Sequence, residues 1–208
     1  MRLPHHPQAI ESLRSPTKQQ PWRVLISGCL FGWKVAVDGT TYGLEQARPQ
    51  WLDSPLVQLF PFCPEDDQLG TPRPMPDLHG GDGFEVLAGS AKVFDSDGLD
   101  LTEKILAGAE AMARLAQEQQ VDFALLTDRS GTCGSQVISL GCRLEDPVQY
   151  QKGVGVATAR LLQDGVHVVS QRDFLTLEKL RAKLDPGYHP DATTLDHHDH
   201  PWVREHLA

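Results

Sequence analysis

The amino-acid sequence predicts an α/β fold, a single domain whose mainly parallel sheet is flanked by helices. The first observation is a set of short apolar runs with the length and composition of buried strands. The second is that helical patterns separate several of these runs, as in βαβ units. Ligands bind such sheets outside the carboxyl ends of the strands. We therefore expect the functional site at that edge of the sheet.

Five apolar segments are predicted to be strands. They are WRVLISG (22–28), PLVQLFPF (55–62), VDFALLT (121–127), QVISL (136–140) and VHVVS (166–170). The segment FEVLAGSAKVFD (84–95) is expected to add one or two short strands. The segment QLGTPRPMPDLHGGDG (68–83) is too rich in proline and glycine for a helix or a central strand, and it is long for an idle loop.

Three segments are predicted to be helices. The clearest begins at Asp100, where Asp100 and Glu103 have the spacing of a capping box and apolar residues then recur on one face. The segment GVGVATARLLQDG (153–165) is expected to form a closely packed helix. Ser170 is expected to cap a third helix, QRDFLTLEKLRAKL (171–184).

Composition and charge limit the classes of function. A chain of 208 residues is long enough for one domain with a substantial core. Its net charge of -9 disfavours extended nucleic-acid binding, because phosphates are repelled. No run approaches the roughly 20 apolar residues of a membrane span, and the first residues lack the apolar core of a secretory signal. We therefore expect a cytoplasmic protein, a monomer or homodimer, whose partner is a small molecule.

The two ends of the chain differ from its middle. Residues 1–20 are polar and contain three prolines, which predicts an N-terminal arm. Residues 185–208 form a histidine-rich C-terminal tail, and no predicted strand or helix organises its imidazoles. We therefore expect the tail to be solvated or to face a partner, and the α/β domain to occupy residues 21–184.

Three of the four cysteines follow predicted strands. Cys29, Cys63 and Cys133 each lie on a loop just past the end of an apolar run. Parallel strands carry such loops to the same edge of a sheet, so we expect the three sulfurs to converge. In a reducing compartment scattered cysteines are seldom disulfides. Cys142 is expected to be a buried thiol.

Converging thiols leave three possibilities open. They could bind zinc, which would need a fourth ligand such as histidine. They could hold an iron–sulfur cluster, which normally has four cysteine ligands, so that three would leave one iron open. Such an iron is a Lewis acid that can take a sulfur atom. They could also simply pack at strand ends in the core.

Polar residues near the cysteines are candidates for chemistry. Glu65 stands two residues after Cys63, and a carboxylate beside a desolvated metal site is a candidate general acid or base. Ser130 precedes Cys133 by three residues and could present its hydroxyl to the same pocket. Arg73 lies between two prolines that stiffen the backbone, and a fixed guanidinium suits a carboxylate, phosphate or carbonyl group.

Five motifs, taken together and in order, resemble the thiouracil desulfidase family. They are SGCLFG (27–32), FCPE (62–65), LGTPRP (69–74), AKVFDSDGLDLTEKILAGAE (91–110) and SGTCGS (130–135). The resemblance runs from about residue 22 to residue 170 and leaves out both ends of the chain. The sequence departs from the family pattern at DRSGTCGS (128–135), where relatives usually carry a lysine-containing SPSCGS-like run.

The resemblance implies a [4Fe-4S] cluster held by Cys29, Cys63 and Cys133, with one open iron. It also implies an activity, the conversion of a thiocarbonyl to a carbonyl with release of sulfide and no net redox change. The substrate would be a thiolated pyrimidine, either free thiouracil or a thiolated uridine nucleotide such as 4-thio-UMP. The family's catalytic carboxylate maps onto Glu65 and its catalytic serine onto Ser130.

Three further residues are expected to bind the substrate. They are Arg73, Lys34 and Ser135, with Arg73 or Lys34 serving the phosphate of a nucleotide. The glycines of SGTCGS are expected to make room for the cluster, and backbone amides of that loop to bind its sulfides.

Two other classes of function compete with this interpretation. A non-catalytic module that binds a metal or cluster for structure or sensing would have a closed site with four protein ligands. A hydrolase with Cys133 as nucleophile would need a partner histidine. The only histidine near a predicted strand end is His167, and it lies inside the strand pattern rather than on the loop that follows.

Overall fold

A four-stranded parallel sheet forms the centre of the protein. The computed structural model describes residues 7–144 and 146–207. The strands are β1 (Trp22–Ser27), β2 (Val57–Phe62), β5 (Phe123–Leu126) and β8 (Val168–Ser170). Their order is β2-β1-β5-β8, and each neighbouring pair is parallel. The predicted α/β class is therefore confirmed.

Two antiparallel strand pairs lie outside this sheet. Strand β3 (Asp77–His79) pairs with β4 (Lys92–Phe94), and β6 (Val137–Ser139) pairs with β7 (Tyr150–Lys152). The prediction for residues 84–95 is right for β4 only, because FEVL lies in helix α4 (Gly83–Leu87). A capping box explains that helix, since the Asp82 carboxylate accepts the Phe84 N–H and the Glu85 carboxylate accepts the Asp82 N–H.

Helices cover the sheet and join its strands. They are α1 (Pro7–Ser12), α2 (Gly28–Phe31), α3 (Pro64–Leu69), α5 (Thr102–Glu118), α6 (Val156–Gln163), α7 (Phe174–Leu184) and α8 (Pro201–His206). The three predicted helices are confirmed as α5, α6 and α7, but all three begin later than expected, and α6 begins at Val156 rather than at residue 153. Helix α5 begins at Thr102, because the Asp100 carboxylate accepts the Thr102 N–H and binds Lys92. Helix α7 begins at Phe174 rather than directly after Ser170.

Alternating side chains of the strands point to opposite faces, and both faces are buried. On one face Leu25 and Leu126 pack with α5 and α6. On the other face Trp22 packs with α7 and with Ile10 of α1, which is 1% exposed. Ile10 of the predicted N-terminal arm is thus part of the core, although most of residues 11–20 are exposed. Residues 1–6 of the arm lie outside the described residues. None of the described helices has both the length and the apolar composition to cross a membrane.

Candidate active site

A pocket of about 270 Å³ opens at the carboxyl edge of the sheet. Cys29, Cys63 and Cys133 all line it, so the predicted convergence of the three sulfurs is observed. Glu65 and Ser130 line the same pocket. Two predicted substrate residues do not. Lys34 is exposed and Ser135 is completely buried, and neither lines the pocket.

Local structure sets the positions of Cys29 and Cys63. Strand β1 runs directly into the single turn of α2, which contains Cys29, and its sulfur lies 3.0 Å from the Thr127 hydroxyl. Cys63 follows the last residue of β2 and is the N-cap of α3, where its sulfur accepts the Asp66 N–H at 3.4 Å. Both sulfurs are therefore placed by the end of a strand and the beginning of a helix.

Cys133 instead lies on a loop that a buried carboxylate organises. One oxygen of Asp128, Oδ1, accepts the N–H groups of Arg129, Ser135, Gln136 and Val137 at 3.0 to 3.2 Å. The loop from 128 to 137 is thus closed around a single carboxylate whose side chain is fully buried. The Thr158 hydroxyl also donates to the Cys133 carbonyl at 2.8 Å.

Burial and crowding of charge act on all three thiols. Burial raises the pKa of Cys29, and it raises the pKa of Cys63 to about 12, with the negative charge of Glu65 as the next cause. Burial raises the pKa of Cys133 well above its ordinary value, and the neighbouring Cys63, Glu65 and Cys29 raise it further. Forming three thiolates here requires a strongly positive partner, which a metal centre provides.

Glu65 is fixed by an ion pair with Arg73. Arg73 donates to Glu65 Oε2 from Nη2 at 2.7 Å and from Nε at 3.2 Å. The Arg73 side chain is 3% exposed and also donates to the carbonyls of Val35 and Gly70. Among the described residues Oε1 of Glu65 has no hydrogen-bond partner. Arg73 therefore orients the carboxylate, and Oε1 is available to the pocket.

Ser130 faces the same space with a defined hydroxyl. Its Oγ accepts the N–H groups of Thr132 at 3.2 Å and Cys133 at 3.0 Å. Because those bonds use the oxygen as acceptor, the hydroxyl proton is available to a group in the pocket.

The two glycines of SGTCGS differ in how closely the protein packs against them. A Cβ on Gly134 would lie 2.5 Å from the Ser130 carbonyl oxygen, and one on Gly131 would lie 3.4 Å from Leu78. These atoms belong to the protein itself. Gly134 therefore allows close packing of the loop, whereas the contact at Gly131 is an ordinary one. That the glycines make room for a cluster stays a prediction.

Asp128 is not among the site residues predicted from the sequence, and His197 of the predicted tail is buried. His197 is 4% exposed, and its Nδ1 is hydrogen-bonded to Asp128 Oδ2, so the expectation of a solvated tail is wrong at this residue. Burial would raise the pKa of Asp128, but the hydrogen bond and charge of His197, with N–H donors of the loop, hold it below its ordinary value. The signal for Asp128 is its place just after the run FALLT, where a polar residue of a parallel strand reaches the ligand edge.

One arginine of the pocket has no carboxylate partner. Arg129 lines the pocket, and its guanidinium lies over the rings of Trp202 at 4.3 Å and Tyr150 at 5.2 Å. Among the described residues it forms no ion pair, whereas Arg143 on the same pocket is bound to Asp77. Arg129 is therefore the cation that remains free for an anionic group.

The donor set fits an iron–sulfur cluster better than a single ion. Within the described parts of the chain, no three His, Cys, Asp or Glu side chains are close enough to hold one metal ion. Yet the three cysteines share a pocket, each with a free thiol. Soft thiolates that each bind a different iron suit a cluster. Cys142 is half-buried and does not line this pocket.

Comparisons with known proteins show the family of this chain. A family model described as 2-thiouracil desulfurase matches residues 24–173. The uncharacterized protein YbbK of Bacillus subtilis (strain 168) is 32% identical over 153 residues, which is 72% of this chain and 96% of that protein. A solved structure described as the [4Fe-4S]-dependent thiouracil desulfidase TudS is 34% identical, with a TM-score of 0.59 over 72% of this chain and 90% of that one. The chain therefore belongs to the 2-thiouracil desulfurase family.

Proposed function

We propose that the protein is a desulfidase that exchanges the thiocarbonyl sulfur of a thiolated pyrimidine for oxygen, with a [4Fe-4S] cluster held by Cys29, Cys63 and Cys133. The observation that carries the proposal is the convergence of three cysteines and a buried glutamate on one pocket. Membership of the 2-thiouracil desulfurase family supports it, as does the likeness to a [4Fe-4S]-dependent thiouracil desulfidase.

The proposed reaction is balanced without an oxidant or a reductant. A thiocarbonyl and water give a carbonyl and hydrogen sulfide, so one C–S double bond is lost and one C–O double bond is formed. When bound, a cluster with three protein ligands supplies an iron that accepts the thiocarbonyl sulfur as a soft ligand. The protein must then place water and move protons.

Glu65 is the proposed general base. Arg73 holds Oε2, so Oε1 is presented in one orientation and can take a proton from water as its oxygen attacks the ring carbon. Ser130 is the proposed hydrogen-bond donor, because its oxygen already accepts two N–H groups and its proton can point to the substrate. Both side chains are fixed before substrate binds, which lowers the cost of reaching the reactive geometry.

Apolar residues form another wall of the pocket. Val35 and Ala36 are buried there, and Val37 and Met75 complete that wall. Such a wall suits the faces of a flat pyrimidine ring and excludes water other than the attacking molecule.

A thiolated nucleotide is the favoured form of the substrate. Of the two phosphate ligands expected from sequence, Arg73 is paired with Glu65 and Lys34 does not line the pocket. Arg129 lines the pocket without an ion pair among the described residues, and it is the proposed contact for a phosphate.

The test is sulfide release by the anaerobically reconstituted protein from 2-thiouracil and from 4-thio-UMP, without added reductant. We expect stoichiometric sulfide and uracil-type product, and an Arg129→Met variant that raises KM for the nucleotide about tenfold or more while KM for the base is unchanged. No sulfide from either compound with cluster-loaded protein contradicts the proposed activity. Equal effects on both substrates contradict the phosphate contact.

The competing classes give different results in the same assay. A non-catalytic module would bind a cluster and release no sulfide. A cysteine hydrolase would be colourless and indifferent to iron chelators. No histidine of residues 7–144 and 146–207 lines the pocket, so the described residues offer such a hydrolase no histidine partner for Cys133.

A further inference from the structure

The C-terminal segment reaches beneath the loop that carries Cys133. The family match ends at residue 173, so His197 lies beyond it. The contact between its Nδ1 and Asp128 Oδ2 joins two side chains that are 4% and 0% exposed. Because the carboxylate oxygen can only accept, the Nδ1 of His197 carries the proton that is shared.

Asp128 links this contact to the cysteine loop. Its Oδ1 accepts four N–H groups of the loop, while Oδ2 is bound by His197 and lies 3.4 Å from the Ser170 hydroxyl. The Asp128 N–H is itself bound to Gln171 Oε1 at 2.8 Å. The two oxygens of one carboxylate thus connect the tail on one side with the cysteine loop on the other.

A second buried carboxylate repeats the connection. Asp173 accepts the His197 N–H at 3.1 Å, the Ser170 N–H at 2.8 Å and the Gln136 amide at 2.5 Å. Gln136 is a residue of the cysteine loop, so the backbone and the ring of His197 both reach the loop through an aspartate. The two aspartates hold residues of the loop on either side of Cys133.

The segment around His197 is itself anchored. The Asp196 carboxylate accepts both the N–H of Thr176 at 2.8 Å and its hydroxyl at 2.7 Å, which fastens the segment to α7. Beyond it, Val203 of α8 is 1% exposed. The tail can therefore act as a fixed support and not as a loose end.

We infer that His197 is a positioning residue for the Cys133 loop, acting through Asp128 to hold the third thiol of the site. Removing the imidazole leaves a buried carboxylate with one oxygen lacking its strongest donor, and a buried unsatisfied charge is costly. The loop then gains freedom, while the loops of Cys29 and Cys63 keep their own local supports. This assignment uses the proposed function only in treating Cys133 as a cluster ligand.

The test compares two substitutions at position 197. His197→Phe keeps the ring shape without a donor, and His197→Asn keeps an N–H donor near the position of Nδ1. We expect hydrogen exchange of the cluster-loaded full chain to be about tenfold or more faster for peptides of 128–137 in the Phe variant, with peptides of β1 and β2 unchanged. We expect the Asn variant to restore most of the protection, and His189→Phe, an exposed tail residue, to behave as the parent.

A second readout follows the cluster and not the activity. Loss of cluster absorbance to an iron chelator should be faster in His197→Phe and near the parent rate in His197→Asn. Equal exchange and equal loss in all variants would overturn the assignment, and so would exchange accelerated equally throughout the chain, which marks global destabilisation. If the His197 variants behave as expected but the protein releases no sulfide, the proposed function is contradicted and the role of His197 is not.

Discussion

The loops of Cys29 and Cys63 differ from the loop of Cys133 in how far the cysteine lies from its strand. Cys29 stands two residues after Ser27 and Cys63 directly after Phe62, whereas Cys133 stands seven residues after Leu126. The first two cysteines are placed by the ends of their own strands, and the Cys29 sulfur also lies 3.0 Å from the Thr127 hydroxyl. The third depends on Asp128 and on residues of the distant tail. The half of the pocket around Cys63 is thus built locally, and the half around Cys133 is built through long-range polar contacts.

The largest expected effect is on kcat, and it distinguishes the role of Glu65 from the role of Ser130. Glu65→Gln removes the proposed base but keeps the shape of the side chain, and we expect kcat to fall by about 10²- to 10⁴-fold with cluster content unchanged. Ser130→Ala should lower both kcat and cluster content, because Ser130 also supports the N–H groups of Thr132 and Cys133. Steady-state sulfide release and iron per chain measure the two quantities.

Asp67→Asn is the matched control for Glu65→Gln, since Asp67 is an exposed carboxylate on the same helix α3. It should keep the activity of the parent. A Glu65→Gln variant with full activity would remove Glu65 from the chemistry, and a Ser130→Ala variant with a normal iron content would show that Ser130 does not support the loop.

Two glycine variants, at Gly108 and at Gly155, should each perturb one of the two halves of the pocket. A Cβ on Gly108 of α5 would lie 2.2 Å from the Pro64 carbonyl oxygen, beside Cys63, and a Cβ on Gly155 would lie 2.4 Å from the Thr132 carbonyl oxygen, beside Cys133. We expect each change to alanine to cost about 1–3 kcal/mol in the free energy of unfolding through overpacking. At Gly108 this exceeds the gain of about 1 kcal/mol in helix propensity.

Urea unfolding gives the two free energies, and hydrogen exchange shows where each change acts. Gly108→Ala should speed exchange around α3 and Gly155→Ala around residues 128–137, so each variant is the control for the other. Exchange that rises in both regions for either variant would contradict the division of the pocket into two halves.

The smallest expected effect is the contribution of the Asp128 carboxylate to the pH dependence of stability. The folded pKa of Asp128 lies below its ordinary value of 3.8, so the unfolded chain takes up the proton first as the pH falls. Its contribution to stability is therefore present above about pH 4 and is lost progressively below it. Asp128→Asn should be less stable than the parent at neutral pH but should lose stability less steeply in acid.

Urea unfolding between about pH 3 and pH 7 would check this slope. Asp67→Asn again serves as the control and should follow the curve of the parent, since Asp67 is exposed. Identical slopes for the parent and for Asp128→Asn would show that the acid sensitivity of the protein arises elsewhere.

The same division explains what could be predicted from the sequence. The strand before Cys29, the strand before Cys63 and the rule that ligands bind at the carboxyl edge were enough to predict that the sulfurs converge. The support of Cys133 could not be predicted, because the contact between Asp128 and His197 joins residues 69 positions apart. The histidine-rich composition of the tail suggested a solvated or partner-facing segment, and only the fold shows that the His197 imidazole is buried. The ion pair of Arg73 with Glu65 could not be predicted either, and the contact of Arg73 with the substrate stays a prediction.

The central claim is that Cys29, Cys63 and Cys133 together hold one cluster whose fourth position has no protein ligand. An anaerobic crystal structure of the reconstituted full chain tests it most directly. The result we predict is a [4Fe-4S] cluster in this pocket with one bond from each of the three sulfurs and the fourth iron facing Glu65 and Ser130. A fourth protein ligand such as Cys142, or a metal centre elsewhere in the chain, would contradict the claim.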